Sequence, residues 1–297
     1  MDIHGKMEVN ERRIYGGYSM DYNLFRTLPE IPNPKYIVFS DFDETYFPHQ
    51  LTAERKSQIQ ALEQTIVEKS RVSGLLFGLV TGSNIEAVLE KMKRGGFQYL
   101  PHFIASDLGT EIHYFNRLKQ GEIDKEWLSR FDNGNYHPDK IKEIVDLLAS
   151  KNIALDSQSQ MGASKYKSNY YYFCKNEKDD QLNLNHIRQV ASDFKISINI
   201  NQCNPLAGDP ENAYDIDFIP LGTGKDEIVR YILAKFKIDR QNAIAFGDSG
   251  NDLKMLQAVK FGYLLENATS EAKNGHGRLT IGSYSEGILN TIKELVM

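Results

Sequence analysis

Four short clusters in this sequence carry residue types and spacings that can do chemistry. Asp41 and Asp43 stand two apart in Ser40-Asp41-Phe42-Asp43-Glu44-Thr45. Alternation aims them at different tasks within one loop, and two carboxylates so close repel unless a cation neutralises them. A hard divalent ion of the Mg2+ type, bound by oxygens and retaining waters, meets that need. Thr81-Gly82-Ser83-Asn84 sets a hydroxyl and exposed N–H groups at a helix start, a setting that holds an anion. Gly222-Thr223-Gly224-Lys225 delivers an ammonium at another helix start, where a phosphate's charge can be matched. Gly247-Asp248-Ser249-Gly250-Asn251-Asp252 adds two carboxylates at a glycine-rich turn. Each cluster alone is ordinary, because Asp and Gly favour turns, Thr and Ser cap helices, and lysines sit on surfaces.

What binds the four together is the elements ahead of them. Each follows a short apolar run, Tyr36 to Phe39, Leu75 to Val80, Ile216 to Ile219 and Ala243 to Phe246, of the kind expected for buried strands. Helical spacing appears between the runs: Ile59, Leu62 and Ile66 within Thr52 to Lys69, and Val88, Leu89 and Met92 between an Asn84 cap and the Gly95-Gly96 stop. Further helices are expected at Lys225 to Phe236, Asn251 to Ala258 and Ile288 to Val296, with strands at Phe103 to Ala105 and Phe261 to Leu265. The alternation predicts an α/β fold, a doubly wound parallel sheet with helices on both faces. Such sheets bind ligands at the carboxyl ends of their strands, and all four clusters sit there.

The middle of the chain breaks this rhythm. A helix opened by Pro138, a tyrosine-rich strand from Tyr166 to Phe173, a helix from Leu184 to Phe194 and an alternating strand from Ile196 to Ile200 suit a small α+β insert. The expected organisation is a leader or linker at 1–34, a core domain at 35–113 and 214–297, and an inserted domain at 114–213.

Composition narrows the partners. The 297 residues are 41% hydrophobic and 25% charged, as in ordinary globular proteins, and the formal charge is −5. A chain without a broad positive field is not expected to bind nucleic acid. No apolar run approaches the roughly 20 residues that span a bilayer. The amino terminus lacks an apolar signal region, and Cys174 and Cys203 have no neighbours at metal-site spacing, so a cytoplasmic location is expected. Competing motifs fall away: Ile219 and Asp226 stand where a P-loop needs Gly and Ser or Thr, the Asp248 loop lacks the closing Glu of an EF-hand, and the seven histidines show no paired helical spacing.

Together the motifs resemble the haloacid dehalogenase superfamily of phosphotransferases, with Asp41 to Thr45 as motif one, Thr81 closing motif two, Lys225 as motif three and Gly247 to Asp252 as motif four. The insert resembles the C2 cap of Cof-type phosphatases, and Ser106-Asp107-Leu108-Gly109-Thr110-Glu111-Ile112 is similar to the segment before the cap in sucrose-phosphate phosphatases. A closer likeness to phosphatases of an amino-sugar pathway covers Phe39 to Pro48, Pro101 to Ile112, Cys203 to Pro210 and Ala243 to Asp252. One departure is Ser83, where an Arg often follows Thr-Gly in the wider family.

The resemblance implies a Rossmann-like core, a Mg2+ cofactor and a small-molecule sugar phosphate as substrate. It implies Asp41 as nucleophile and Asp43 as acid and base. The ion would rest on the Asp41 carboxylate, the Asp43 carbonyl and Asp248. Thr81, Gly82, Lys225 and Asn251 would surround the phosphoryl group, with Asp252 orienting Lys225 or a metal-bound water. Glu111 at the hinge and Lys165, Tyr166, Asn201, Asn204 and Asp209 in the cap are the candidates for the sugar. Rival readings are a phosphatase of sucrose phosphate or another hexose phosphate, a phosphosugar mutase or transferase, and a non-catalytic phosphosugar sensor.

Overall fold

A computed structural model describes residues 22–117, 120–132, 134–158, 165–203, 205 and 208–297. Its larger sheet has seven strands in the order Phe261–Leu264, Ala243–Gly247, Tyr36–Ser40, Leu75–Val80, Phe103–Ser106, Glu111–Phe115 and Gln120–Ile123. The first five run parallel, and Glu111–Phe115 runs antiparallel to its neighbours on both sides. Strand Tyr36–Ser40 shows why the sheet needs helices on both faces: Ile37 and Phe39 enter one apolar cluster and Val38 the other. Gly78 lies mid-strand because Phe103 fills its side-chain space; a Cβ there would lie 2.0 Å from that ring.

Side-chain caps open two of the core helices, the expected Asn84 cap among them. Thr52 Oγ1 accepts from the Arg55 N–H at 3.1 Å at the start of helix Ala53–Ser73, and Gly74 ends it at φ 69°. Asn84 Oδ1 likewise accepts from the Ala87 N–H at 2.8 Å, opening helix Ile85–Gly95.

A second, antiparallel sheet has the order Ile196–Gln202, Ala213–Pro220, Ser168–Phe173 and Asp156–Ser157, with helices Pro138–Ser150 and Glu177–Asp193 beside it. Here two expectations need correcting. Ile216 to Ile219 does not return to the parallel sheet but lies in this one, paired on both sides. The reason is its alternation: Ile216 and Phe218 enter an apolar cluster while Asp215 and Asp217 point the other way, a pattern for a half-solvated sheet. Conversely, Glu111–Phe115 and Gln120–Ile123 extend the larger sheet. The strands thus change sheet after Ile123 and again after Pro220, where changes at 114 and 213 were expected.

Part of the segment read as a leader is also built in. Arg26–Thr27 pairs in parallel with Tyr99–Leu100, and Leu28 is buried. Among the described residues, no helix is long and apolar enough to cross a membrane.

Candidate active site

Three buried carboxylates meet at the carboxyl ends of the central strands. Oxygens of Asp41, Asp248 and Asp252 all lie within 4.8 Å of one another. Asp41 is fixed by its position, directly after Tyr36–Ser40, with its N–H donating to Phe246 O at 2.9 Å across the sheet. Asp248 follows the adjacent strand Ala243–Gly247, and Asp252 returns over it in a short 3-10 turn. Gly247 permits that return, since a Cβ at this position would stand 2.3 Å from Asp252 Cβ.

Lys225 bridges the cluster. Its Nζ lies 2.7 Å from Asp41 Oδ1 and 2.6 Å from Asp252 Oδ1, and donates to Asn251 Oδ1 at 3.5 Å. Gly224, at φ 118°, makes the turn that starts its helix. Asp252 is saturated, because Oδ2 also accepts from the Asp248 and Ser249 N–H groups at 3.0 and 3.1 Å. Asp248 Oδ1 accepts from Thr45 Oγ1 at 2.9 Å.

The electrostatics follow from burial. Loss of water pushes the Asp41 carboxyl up to about 7; Lys225 opposes this, while Asp252 and Asp43 add to it. Burial raises Asp248 well above the carboxylate range, and Asp252 and Asp41 reinforce the shift. For Lys225, burial alone disfavours the charge, but Asp252 and Asp41 outweigh it and hold the ammonium above its ordinary range. Carboxylates pressed together out of water, with one lysine for three acids, are a donor set that fits a divalent cation.

Thr81 is buried beside this cluster, with its N–H on Ala105 O at 2.9 Å and its hydroxyl accepting from the Ser83 N–H at 3.1 Å. The loop is locked to the hinge: the Asp107 and Leu108 N–H groups donate to Ser83 O and Thr81 O at 3.0 and 3.1 Å. Those contacts, with Trp127 Nε1 donating to Gly109 O at 3.0 Å, hold Asp107, Leu108 and Gly109 in three successive left-handed conformations. Asp43 is occupied elsewhere, accepting from Lys91 Nζ at 2.7 and 2.8 Å and from Ser83 Oγ at 2.9 Å. Ser83, just ahead of the helix cap, and Lys91, on the helix that follows, thus put a hydroxyl and a cation on the second aspartate.

The cap candidates behave differently. Lys165 is exposed and pairs with Asp132 at 2.8 Å, and Tyr166 packs on Phe131 and Tyr136 with its hydroxyl on the same Asp132. Neither is brought to the carboxylate cluster. Glu111 pairs with His113 Nε2 at 3.1 Å at the hinge. Asn201 stands opposite Asp215 in the cap sheet, Asp209 accepts from Tyr171 OH at 3.4 Å, and Asn204 lies outside the described residues. A cap residue that does reach the core loop is the one after Tyr166, Lys167, buried with Nζ donating to Gly82 O at 2.9 Å. Sequence spacing held no signal for it, nor for Lys91; Thr45 was legible only as the end of the first motif.

Comparison with known proteins agrees with this geometry. The sequence model of sucrose-6F-phosphate phosphohydrolases matches residues 34–294. A kanosamine-6-phosphate phosphatase of Bacillus subtilis is 51% identical over 273 residues, 92% of this chain and 96% of the relative. A Staphylococcus aureus hydrolase of uncharacterised activity is 31% identical over 267 residues, covering 88% and 97%. Among solved structures, a haloacid dehalogenase-like hydrolase from Bacillus subtilis matches with a TM-score of 0.75 at 50% identity, covering 93% of this chain and 96% of that one. The sucrose-phosphatase of Synechocystis shares the fold, with a TM-score of 0.67 at 16% identity over 88% and 98% of the two chains. Motifs, buried cluster and relatives converge: the chain belongs to the sucrose-phosphatase-like family of haloacid dehalogenase-like hydrolases and is a phosphoric monoester hydrolase.

Proposed function

We propose that the protein is a Mg2+-dependent phosphatase that hydrolyses kanosamine 6-phosphate (3-amino-3-deoxyglucose 6-phosphate) to kanosamine and phosphate. The chemistry rests on one observation above the others: Asp41, held out of water within 2.7 Å of Lys225, shares its strand-end pocket with Asp248 and Asp252. An Asp41 oxygen attacks phosphorus, the ester P–O bond breaks, and Asp43 gives its proton to the departing sugar oxygen. Asp43 then takes a proton from water as that water attacks the aspartyl phosphate, releasing phosphate and restoring Asp41. To serve, Asp43 exchanges its Lys91 and Ser83 bonds for the leaving oxygen. Thr81, Gly82, Lys225 and Asn251 surround the phosphoryl oxygens, and Asp252 keeps Lys225 in place. Asp41, Asp248 and the Asp43 carbonyl would hold the metal, which when bound screens the anionic nucleophile from the anionic substrate.

The likeness over 92% of the chain supports an amino sugar, and so does the cap. Residues 167, 169 and 171 alternate onto one sheet face, and Lys167 on that face touches the core loop. Asp215 and Asp217 share it on the central strand; Asp217 is held by Asn169 and Asn199, and Asp215 by Gln158 at 2.8 Å. Burial pushes Asp215 up to about 6, with Asp209 and Asp217 adding to the shift, so a substrate ammonium there relieves repulsion.

Phosphate release from kanosamine 6-phosphate, glucosamine 6-phosphate, glucose 6-phosphate and sucrose 6F-phosphate, with and without Mg2+, tests the reading. Kanosamine 6-phosphate is expected to lead by kcat/KM. Equal turnover of glucose 6-phosphate defeats the amino-sugar assignment, and metal-independent release defeats the cofactor.

A further inference from the structure

Lys167 is 7% exposed and belongs to the cap, yet its two polar contacts among the described residues are both with the core: Gly82 O at 2.9 Å and Asp107 Oδ1 at 3.7 Å. An ammonium has three donors. One is satisfied by the carbonyl, a second leans toward a carboxylate beyond direct hydrogen-bonding distance, and the third has no partner among the described residues. A buried cation so loosely met is costly unless something else completes it.

Its surroundings say what that is. Gly82 follows Thr81 in the loop proposed to surround the phosphoryl group, and Asp107 opens the left-handed hinge bonded to that loop. Lys225 already occupies the nucleophile side of the pocket, on Asp41 and Asp252. Lys167 comes from the opposite, cap side, on the face that carries Asn169, Asp215 and Asp217.

We propose that Lys167 is a substrate-binding residue that also pins the cap shut, its ammonium spanning from Gly82 O to a hydroxyl oxygen of the bound sugar. This rests on the sugar-phosphate reading above. Binding the sugar then completes a charge that the closed cap otherwise leaves short of partners, so closure and recognition are one event.

The test compares Lys167→Met with the unaltered protein on kanosamine 6-phosphate and on 4-nitrophenyl phosphate, which has no sugar hydroxyl. Binding of kanosamine 6-phosphate is measured in parallel by calorimetry on an Asp41→Asn background, with and without the Lys167 change. Loss of a charge-assisted hydrogen bond predicts a fall of about ten- to hundredfold in kcat/KM for the sugar phosphate, mainly through KM. The fall on the aryl phosphate should be at least fivefold smaller, and the calorimetric Kd should rise by the same factor as KM. Lys167→Gln keeps a donor for Gly82 O without the charge, and it shows the same selectivity if the methionine variant does not fold. Equal losses on both substrates, or an unchanged Kd, overturn the proposal. If the unaltered protein releases no phosphate from any sugar phosphate, the hydrolase reading fails, and the binding arm still decides Lys167: an unchanged Kd, or no binding at all, sinks it.

Discussion

The core and cap handle charge in opposite ways. In the core, Asp41, Asp248 and Asp252 are buried at the ends of parallel strands, and Lys225, buried at a helix start, is bonded to two of the three. In the cap, Asp215, Asn199 and Asn201 lie half-buried across the face of an antiparallel sheet, where side-chain amides donate to Asp215 and Asp217. Strand ends converge on a point, which suits the reacting atoms of a phosphoryl group. A sheet face spreads its donors over an area, which suits the several hydroxyls of a sugar. Chemistry requires prearranged charge in a dry site, and recognition requires many weaker contacts.

Replacing residues on each side tests that division. Asp41→Asn should abolish turnover, by at least about a thousandfold, with the fold unchanged by circular dichroism. Retained hydrolysis removes the nucleophile from the core and the contrast with it. Asp43→Asn should slow both half-reactions, about a hundred- to ten-thousandfold in kcat, by rapid quench. Smaller and selective effects belong to the cap: Asp215→Asn with Asp217→Asn should lower kcat/KM for kanosamine 6-phosphate about ten- to hundredfold relative to glucose 6-phosphate. An equal loss on both sugars breaks the assignment of recognition to this face.

Stability sharpens the same contrast. The folded Asp41 carboxyl sits at about 7, above its unfolded value of about 3.9, so between those values the metal-free folded protein holds a proton that the unfolded chain has released. Metal-free Tm is therefore expected to fall as pH rises from about 4 to 7, and Mg2+ to reverse most of that loss. A metal-free Tm that climbs steadily through this window contradicts the account of the core. The smallest effect is Lys165→Ala: with an exposed pair to Asp132, the midpoint of unfolding in urea should not move measurably.

The core site was legible before the fold because each cluster follows its own apolar run within a few residues, and a strand end fixes where the next side chains emerge. Asp41 and Asp248 met for that local reason, whereas Lys225 reached them although the run before it lies in the cap sheet. The cap was less legible. A tyrosine-rich strand next to Lys165 and Tyr166 drew the reading to those two residues, while the next residue, Lys167, makes the core contact. Lys91 and Asp43 lie 48 residues apart, so spacing held no trace of their pair.

Amino-acid order alone established the α/β class, the strand and helix periods, the four reactive clusters and the resemblance they carry, since all of these depend on neighbours within a turn or a strand. Only the tertiary structure decided that Ala213–Pro220 joins the cap sheet, that Lys225 bridges Asp41 and Asp252, and that Lys167 crosses to Gly82. Periodicity reports which face of a strand is apolar. Which sheet covers that face, and what stands across a gap, depends on the path of the whole chain.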